Sequence, residues 1–77
     1  MPSLASLKAG QTGIVCGFTQ HSASTQRLMQ LGLIEGERID VIRRAPAGDP
    51  IEIRVLGYSL SLRTSEAATI LIDALEE

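Results

Sequence analysis

The chain has 77 residues, of which 44% are hydrophobic and 21% charged, a composition that excludes intrinsic disorder and leaves room for one small module. One Phe, one Tyr and no Trp exclude the aromatic platforms that stack single-stranded nucleic acid. The net charge of -2 further disfavours nucleic acid as a partner, because such binding depends on neutralising phosphates.

Three sequence features predict the compartment. The single cysteine, Cys16, cannot form an intramolecular disulfide, which is typical of a reducing cytosol. No run approaches the 18 apolar residues that indicate a membrane span, so we expect no direct membrane insertion. Residues 1–4 lack the basic-then-apolar pattern of a secretion signal. We therefore expect a soluble cytoplasmic protein.

A turn and a strand open the predicted fold. The segment Lys8–Gly10 predicts a turn in which Gly10 takes a positive φ. Thr12–Phe18 is rich in β-forming residues and predicts the first strand. Its two glycines indicate a bulge or bend of the kind that a tightly curved barrel needs.

One helix follows the first strand. Ser24–Leu31 predicts this helix, with a serine cap at Ser22 or at its own first residue, and with Leu28 and the final leucine facing the core. Gly32 predicts its end in a left-handed conformation. That ending would bring Leu33 into contact with Leu28.

The middle of the chain predicts a second strand. A turn at Gly36 leads into a segment in which Ile39 and Val41 alternate with polar residues. Ile42 breaks the alternation, since it falls on the opposite face from the other two.

Two more alternating segments, Ile51–Val55 and Tyr58–Leu62, predict a hairpin that turns at Gly57. A two-residue turn there would force Leu56 to a positive φ, which a bulky side chain resists. We therefore expect a bulged loop between these strands.

A short helical turn at Thr64–Ala68 and a buried strand at Ile70–Ile72 complete the pattern. Five strands and one longer helix predict a mainly β protein, a small barrel of about five strands with one α-helix after the first strand. We expect a single domain over residues 1–77 with its core at about 7–73.

Reactive side chains are too few for an active site. The chain has one Cys and one His and no Gly-x-x-x-x-Gly-Lys-Ser/Thr phosphate loop, so we predict that it is not an enzyme and needs no cofactor. Cys16 lies among strand residues and reads as structural. His21 reads as a solvated residue before the helix. Its alternative role is that of an incidental ligand for iron or zinc, bridging two chains in a weak or metal-bridged homodimer.

The loop Ala45–Pro50 is the best candidate for recognising a partner. Two prolines stiffen it, and Asp49, which precedes a proline, is expected to present its carboxylate outward. The alternative is a plain β–β connection whose prolines oppose aggregation. Neighbouring arginines suit an interface, and one of them acting as an arginine finger in a partner's site is a sharper version of the same idea. The partner-binding candidates are Arg43, Arg44, Pro46, Gly48, Asp49, Pro50, Arg63 and Met29, and the structural turns are Gly10, Gly32, Gly36 and Gly57.

Several blocks together resemble a known family. They are Arg27-Leu28, Leu31-Gly32-Leu33, Gly36, Ile39, Val41, Arg43, Ala45-Pro46, Gly48 to Ile53, Gly57-Tyr58, Leu60, Leu62-Arg63 and Glu66-Ala67. From about Leu7 to Asp73 the chain resembles the ferrous iron transport protein A family, and Ala-Pro-x-Gly-Asp-Pro-Ile is the most specific block.

The resemblance implies an SH3-like barrel and an accessory role in ferrous iron uptake. It implies a partner, ferrous iron transport protein B, whose cytosolic part includes a GTP-binding domain. Bound to this partner, the chain would lie at the inner face of the membrane. The second interpretation is a metal-responsive regulatory barrel similar to the C-terminal domain of iron-dependent repressors. The resemblance supplies no catalytic or metal motif.

Overall fold

A computed structural model describes residues 2–75. Its elements are a 3-10 turn Leu4–Ser6, β1 Thr12–Phe18, α1 Ala23–Gln30, β2 Arg38–Arg44, β3 Ile51–Val55, β4 Tyr58–Leu62, α2 Thr64–Ala67 and β5 Ile70–Leu75. The strands form one antiparallel sheet in the order β4-β3-β2-β1-β5. The predicted mainly β fold of five strands, with a helix after the first, is confirmed. Over the same residues, no helix is long and apolar enough to cross a membrane.

One hydrophobic cluster fills the inner face of the curled sheet. The alternation predicted for β3 is confirmed, because Ile51, Ile53 and Val55 are buried while Glu52 and Arg54 face outward. The buried hydrophobic residues are Leu4, Leu7, Val15, Leu28, Leu33, Ile39, Val41, Ile51, Ile53, Val55, Leu62, Ala67, Ile70 and Ile72. Every β strand contributes to this core.

The start of α1 is fixed by a capping box. The Thr25 amide donates to Ser22 Oγ (3.3 Å), and the Ser22 amide donates to Thr25 Oγ1 (2.9 Å). The helix therefore begins at Ala23, one residue before the predicted start. Thr25 is fully buried, whereas Leu31, predicted as a core residue, is only half-buried. The core-facing stripe of α1 thus runs through Thr25 and Leu28.

The end of α1 is the predicted Schellman arrangement. Gly32 has a φ of 108°. Its amide donates to the Met29 carbonyl (3.0 Å), and the Leu33 amide donates to the Leu28 carbonyl (3.1 Å). These bonds satisfy carbonyl groups that the helix end would otherwise leave unpaired, and they direct Leu33 into the core.

Two β-bulges curve the sheet. The register between β1 and β5 shifts between Val15 and Gly17, which confirms the bulge that the glycines predicted. A second shift, between Val41 and Arg43 of β2, makes Ile42 the extra residue. This bulge explains why Ile42 breaks the alternation and lies 38% exposed.

The turn between β3 and β4 corrects a prediction. Val55 pairs with Tyr58, so only Leu56 and Gly57 form the turn, with φ values of 53° and 83°. Both positive values match a two-residue type I′ hairpin, and the expected bulged loop is therefore wrong. The Leu56 side chain lies over the α-carbon of Gly32, where an added Cβ would stand 2.6 Å from Leu56 Cδ1.

The N-terminal segment holds more structure than its sequence indicated. Leu4–Ser6 forms a 3-10 turn, and Leu4 and Leu7 are buried. The predicted turn at Lys8–Gly10 is present, with a φ of 88° at Gly10. Its amide donates to the Val41 carbonyl (2.8 Å), which ties the segment to β2.

A charge-assisted hydrogen bond joins β1 to β2. Thr12, which is 3% exposed, donates its hydroxyl to Asp40 Oδ1 (2.7 Å). This bond, together with the Arg38 guanidinium, lowers the pKa of Asp40 below its ordinary value, although partial burial opposes the shift. The carboxylate is therefore the form that the folded sheet prefers.

We predict that Leu56→Asn raises the free energy of unfolding by about 0.5–1 kcal/mol, because Asn tolerates the left-handed conformation that costs Leu about 1 kcal/mol or more. Leu56 is 60% exposed, so little burial is lost. Urea unfolding measures the change, and Leu56→Ala, which keeps the backbone strain, is the matched control. An Asn variant no more stable than the Ala variant would contradict the explanation.

We predict that Thr12→Val lowers the free energy of unfolding by about 1–2 kcal/mol at neutral pH. Because the folded Asp40 has a lowered pKa, its stabilisation is complete above the unfolded value of about 3.9 and is lost as the pH falls through the folded value. The difference between wild type and variant should therefore shrink in acid. The exposed Thr19→Val is the control, and an equal pH dependence for both variants would refute the assignment.

Candidate partner-binding surface

The loop of residues 45–50, which joins β2 to β3, is closed by its own backbone. The Ala45 amide donates to the Pro50 carbonyl (3.1 Å), and the Gly48 amide donates to the Ala45 carbonyl (2.7 Å). Gly48 has a φ of 87°, and the Asp49–Pro50 peptide bond is cis. These contacts give the loop a compact, defined shape at one end of the sheet.

Two clefts of about 370 and 300 Å³ flank this loop. The larger is lined by Asp49, Pro50, Ser61, Leu62, Arg63 and Glu66, and the smaller by Arg43, Arg44, Ala45, Pro46, Pro50, Glu52 and Ser61. Most of the predicted partner-binding residues therefore meet around one loop. Ser61, which lines both clefts, was missed because an exposed serine in a short strand carries no distinctive sequence signal.

Asp49 differs from its prediction in one respect. Its Oδ1 accepts a hydrogen bond from the Thr64 amide (2.8 Å), and Thr64 Oγ1 donates to the Gly48 carbonyl (3.0 Å). Asp49 is exposed, and its carboxylate in addition caps the first turn of α2, a role that the sequence did not predict. Asp49 thus fixes the loop against the segment that follows β4.

Arg44 anchors the N-terminal segment. Its Nη1 donates to the carbonyl oxygens of Ala5 (2.8 Å) and Leu7 (2.7 Å), and the residue is half-buried. Sequence spacing of more than 35 residues hid these contacts. Arg44 therefore lines the smaller cleft, but its guanidinium group is already hydrogen-bonded to the N-terminal segment.

Arg43 and Arg63 are the exposed arginines at the clefts. Arg43 Nε contacts Glu52 Oε1 (2.7 Å) in a surface ion pair, with 76% of the Arg43 side chain accessible. Arg63 has no side-chain hydrogen bond or ion pair to any residue between 2 and 75. Glu66 beside it is engaged, since it accepts from the Arg63 amide (3.0 Å) and pairs with Arg27. Arg63 is therefore the charged side chain at the larger cleft that has no partner among residues 2–75.

The other predicted residues lie apart from this loop. Met29 is half-buried on α1, and His21 is exposed just before the Ser22 cap. Cys16 is half-buried and its Sγ lies 3.6 Å from the Ile14 carbonyl. The described part of the chain contains no group of three or more His, Cys, Asp or Glu residues placed to hold a metal ion. The donors among residues 2–75 thus do not by themselves form a metal site at His21, and a metal there would need further ligands.

Comparison with known proteins finds similarity over nearly the whole described chain. Residues 3–74 match the family described as FeoA domain. Over 70 residues the chain is 29% identical to the Fe(2+) transport protein A/Fe(2+) transporter FeoB fusion protein of Porphyromonas gingivalis, a match that covers 91% of this chain. The chain spans only 8% of the length of that fusion protein.

Several solved structures have folds similar to that of this chain. The FeoA-like protein of Clostridium acetobutylicum has a TM-score of 0.92 at 38% identity, covering 99% of this chain and 88% of that one. Stenotrophomonas maltophilia FeoA, complexed with zinc and described as an SH3 domain protein, has a TM-score of 0.84 at 27% identity, covering 95% and 91%. A manganese-dependent transcriptional repressor shares the fold at 19% identity with a TM-score of 0.87, covering 96% of this chain and 41% of that one. The predicted SH3-like barrel is confirmed.

We predict that Arg44→Met lowers the free energy of unfolding by about 2 kcal/mol, because it leaves two carbonyl groups without a donor. The adjacent Arg43→Met is the matched control and should cost less than about 1 kcal/mol, since it removes only a surface ion pair. Urea unfolding measures both, and amide exchange at Leu4 and Leu7 should quicken in the Arg44 variant alone. Equal losses in the two variants would show that Arg44 is not the anchor.

Proposed function

The chain belongs to the FeoA domain family, and on this premise we propose that it is an accessory protein of ferrous iron uptake that binds the cytosolic GTP-binding domain of ferrous iron transport protein B. The family is an accessory transport or regulatory family and not a known family of enzymes. Iron would be the cargo of the partner, and the chain would act at the inner face of the membrane.

The fusion in Porphyromonas gingivalis supports this partnership. There, a relative of this chain and the transporter occupy one polypeptide. Such a covalent link keeps two units at a high effective concentration, which favours a contact between them. We infer that a domain of this family contacts the transporter in the same way when the two are not covalently linked.

The loop of residues 45–50 and its two clefts are the surface that we assign to the partner. Internal hydrogen bonds and the Asp49 cap hold the loop in shape, so little conformational entropy is lost when it docks. Pro46 is exposed beside Arg43, and Arg63 stands at the other cleft. Exposed arginines with planar head groups are frequent anchors of interfaces and pair with carboxylates. We therefore expect an acidic patch on the partner.

The alternative of a regulatory function has weaker support than the transport function. Its support is a shared fold with a repressor at 19% identity, and a fold alone does not determine a function. The net charge of -2 also disfavours direct contact with nucleic acid. Transport therefore remains the function that the observations favour.

We predict that the wild-type chain binds purified transporter B held in lipid nanodiscs, and that Arg63→Ala and Arg43→Ala each weaken this binding about tenfold by removing an exposed arginine from a cleft. Biolayer interferometry measures the dissociation constants. Arg38→Ala is the matched control, because Arg38 is an exposed, ion-paired arginine at the far end of β2 from the loop. Its binding should equal that of the wild type.

The outcomes separate the partner from the surface. If the wild-type chain does not bind the transporter, the proposed function is wrong. If it binds and all three variants bind equally, the partnership stands and the loop assignment is wrong. Binding that survives in the nanodisc but is absent with the isolated GTP-binding domain would move the contact to another part of the transporter.

A further inference from the structure

The two edge strands of the sheet, β4 and β5, differ in whether another segment of the chain covers them. At the β5 edge, Ser3 bridges to Leu71 and the Ile72 amide donates to the Pro2 carbonyl (2.9 Å), so the N-terminal segment covers this edge. At the β4 edge, β3 lies on one side, and no strand of the described chain lies on the other. The β4 edge is therefore open.

The hairpin register identifies which backbone groups this edge presents. Val55 and Tyr58 flank the two-residue turn and form the first hydrogen-bonded pair, so bonding to β3 alternates along the strand from Tyr58. Leu60 is bonded inward by the same alternation. The N–H and C=O groups of Ser59 and Ser61 consequently point away from β3, and both serines are exposed.

Nothing in β4 opposes strand pairing. Soluble proteins usually protect an edge with a charged residue, a proline or a bulge. The segment Tyr58–Leu62 has no charged residue and no proline, and its register with β3 is continuous. Tyr58 is 40% exposed although its hydroxyl donates to the Leu31 carbonyl at the end of α1, so part of its ring is apolar surface beside the unpaired backbone.

The sequence of β4 favours a second copy of the same chain as the occupant. Tyr-Ser-Leu-Ser-Leu is nearly symmetric about Leu60, with a serine on each side and a large apolar residue beyond each serine. In an antiparallel pair with a twofold axis at Leu60, Ser59 of one chain faces Ser61 of the other. An isologous contact of this kind needs a self-complementary surface, and this strand is one.

We propose that the chain self-associates by antiparallel pairing of two β4 strands about a twofold axis at Leu60. The outward groups of Ser59 and Ser61 then form about four hydrogen bonds across the axis. The two Leu60 residues meet at a non-hydrogen-bonded position, where side chains approach most closely, and Tyr58 faces Leu62 of the second copy. No like charges oppose each other, and the inference is independent of the transport partner.

Sedimentation equilibrium in EDTA, from about 10 µM to about 1 mM, tests the proposal over the affinity range expected of a small interface. The wild type should shift with concentration towards twice its 8.2 kDa mass. Ser59→Lys places a charge on the pairing edge, one residue from the axis, and should weaken association at least about tenfold. Ser24→Lys, the same change at an exposed site on α1, is the matched control and should behave as wild type.

Amide exchange supplies a residue-level readout that does not depend on a variant. The amides of Ser59 and Ser61 should gain protection as concentration rises, whereas that of Leu60, already bonded to β3, should not change. A monomer at every concentration would overturn the proposal. So would a dimer that forms only when EDTA is left out of a parallel run, which would be metal-bridged. A dimer that Ser59→Lys leaves intact while the Ser59 and Ser61 amides stay unprotected would also overturn it.

Discussion

The outer strands of this sheet do not pair with each other in the described chain, so one side of the core must be covered by helices and by side-chain bonds. A chain of 77 residues has few apolar side chains to spare for this purpose. Apolar residues of α1 and α2, such as Leu28 and Ala67, belong to the core, and polar contacts hold these helices in place. Tyr58 donates its hydroxyl to the Leu31 carbonyl at the end of α1, and the Arg27–Glu66 pair joins α1 to α2.

This constraint decides which residues remain available for a partner. Asp49 and Arg44 look like surface charges in the sequence, but one caps α2 and the other holds the N-terminal segment. Arg43 and Arg63 are then the exposed arginines at the clefts, next to the exposed but hydrogen-bonded Asp49. A rigid loop with residual positive charge is a surface that selects by shape and by charge together, although the whole protein is acidic.

The elements with strong local patterns could be predicted from the sequence. Alternation in β3 fixed its buried face, and Gly32 fixed the end of α1, since both signals act over a few neighbouring residues. The turn at Leu56 could not be predicted, because strand register overrode the residue's own preference for negative φ. The roles of Arg44 and Asp49 were also hidden, since their hydrogen-bond partners are distant in sequence. Signals from residues close in sequence thus predicted most of the fold. The candidate site depends on contacts between residues distant in sequence, which only the folded structure shows.

The proposed self-association and the proposed docking surface have Ser61 in common. Ser61 lines both clefts, and its backbone N–H and C=O lie on the unpaired edge of β4. A second copy paired at β4 would therefore stand against the clefts and restrict access to Arg63. Binding to a transporter would then draw on the monomer, and the apparent dissociation constant would rise in proportion as the monomer fraction falls. Pairing of two β4 strands would in this way compete with binding of the partner at the adjacent charged loop.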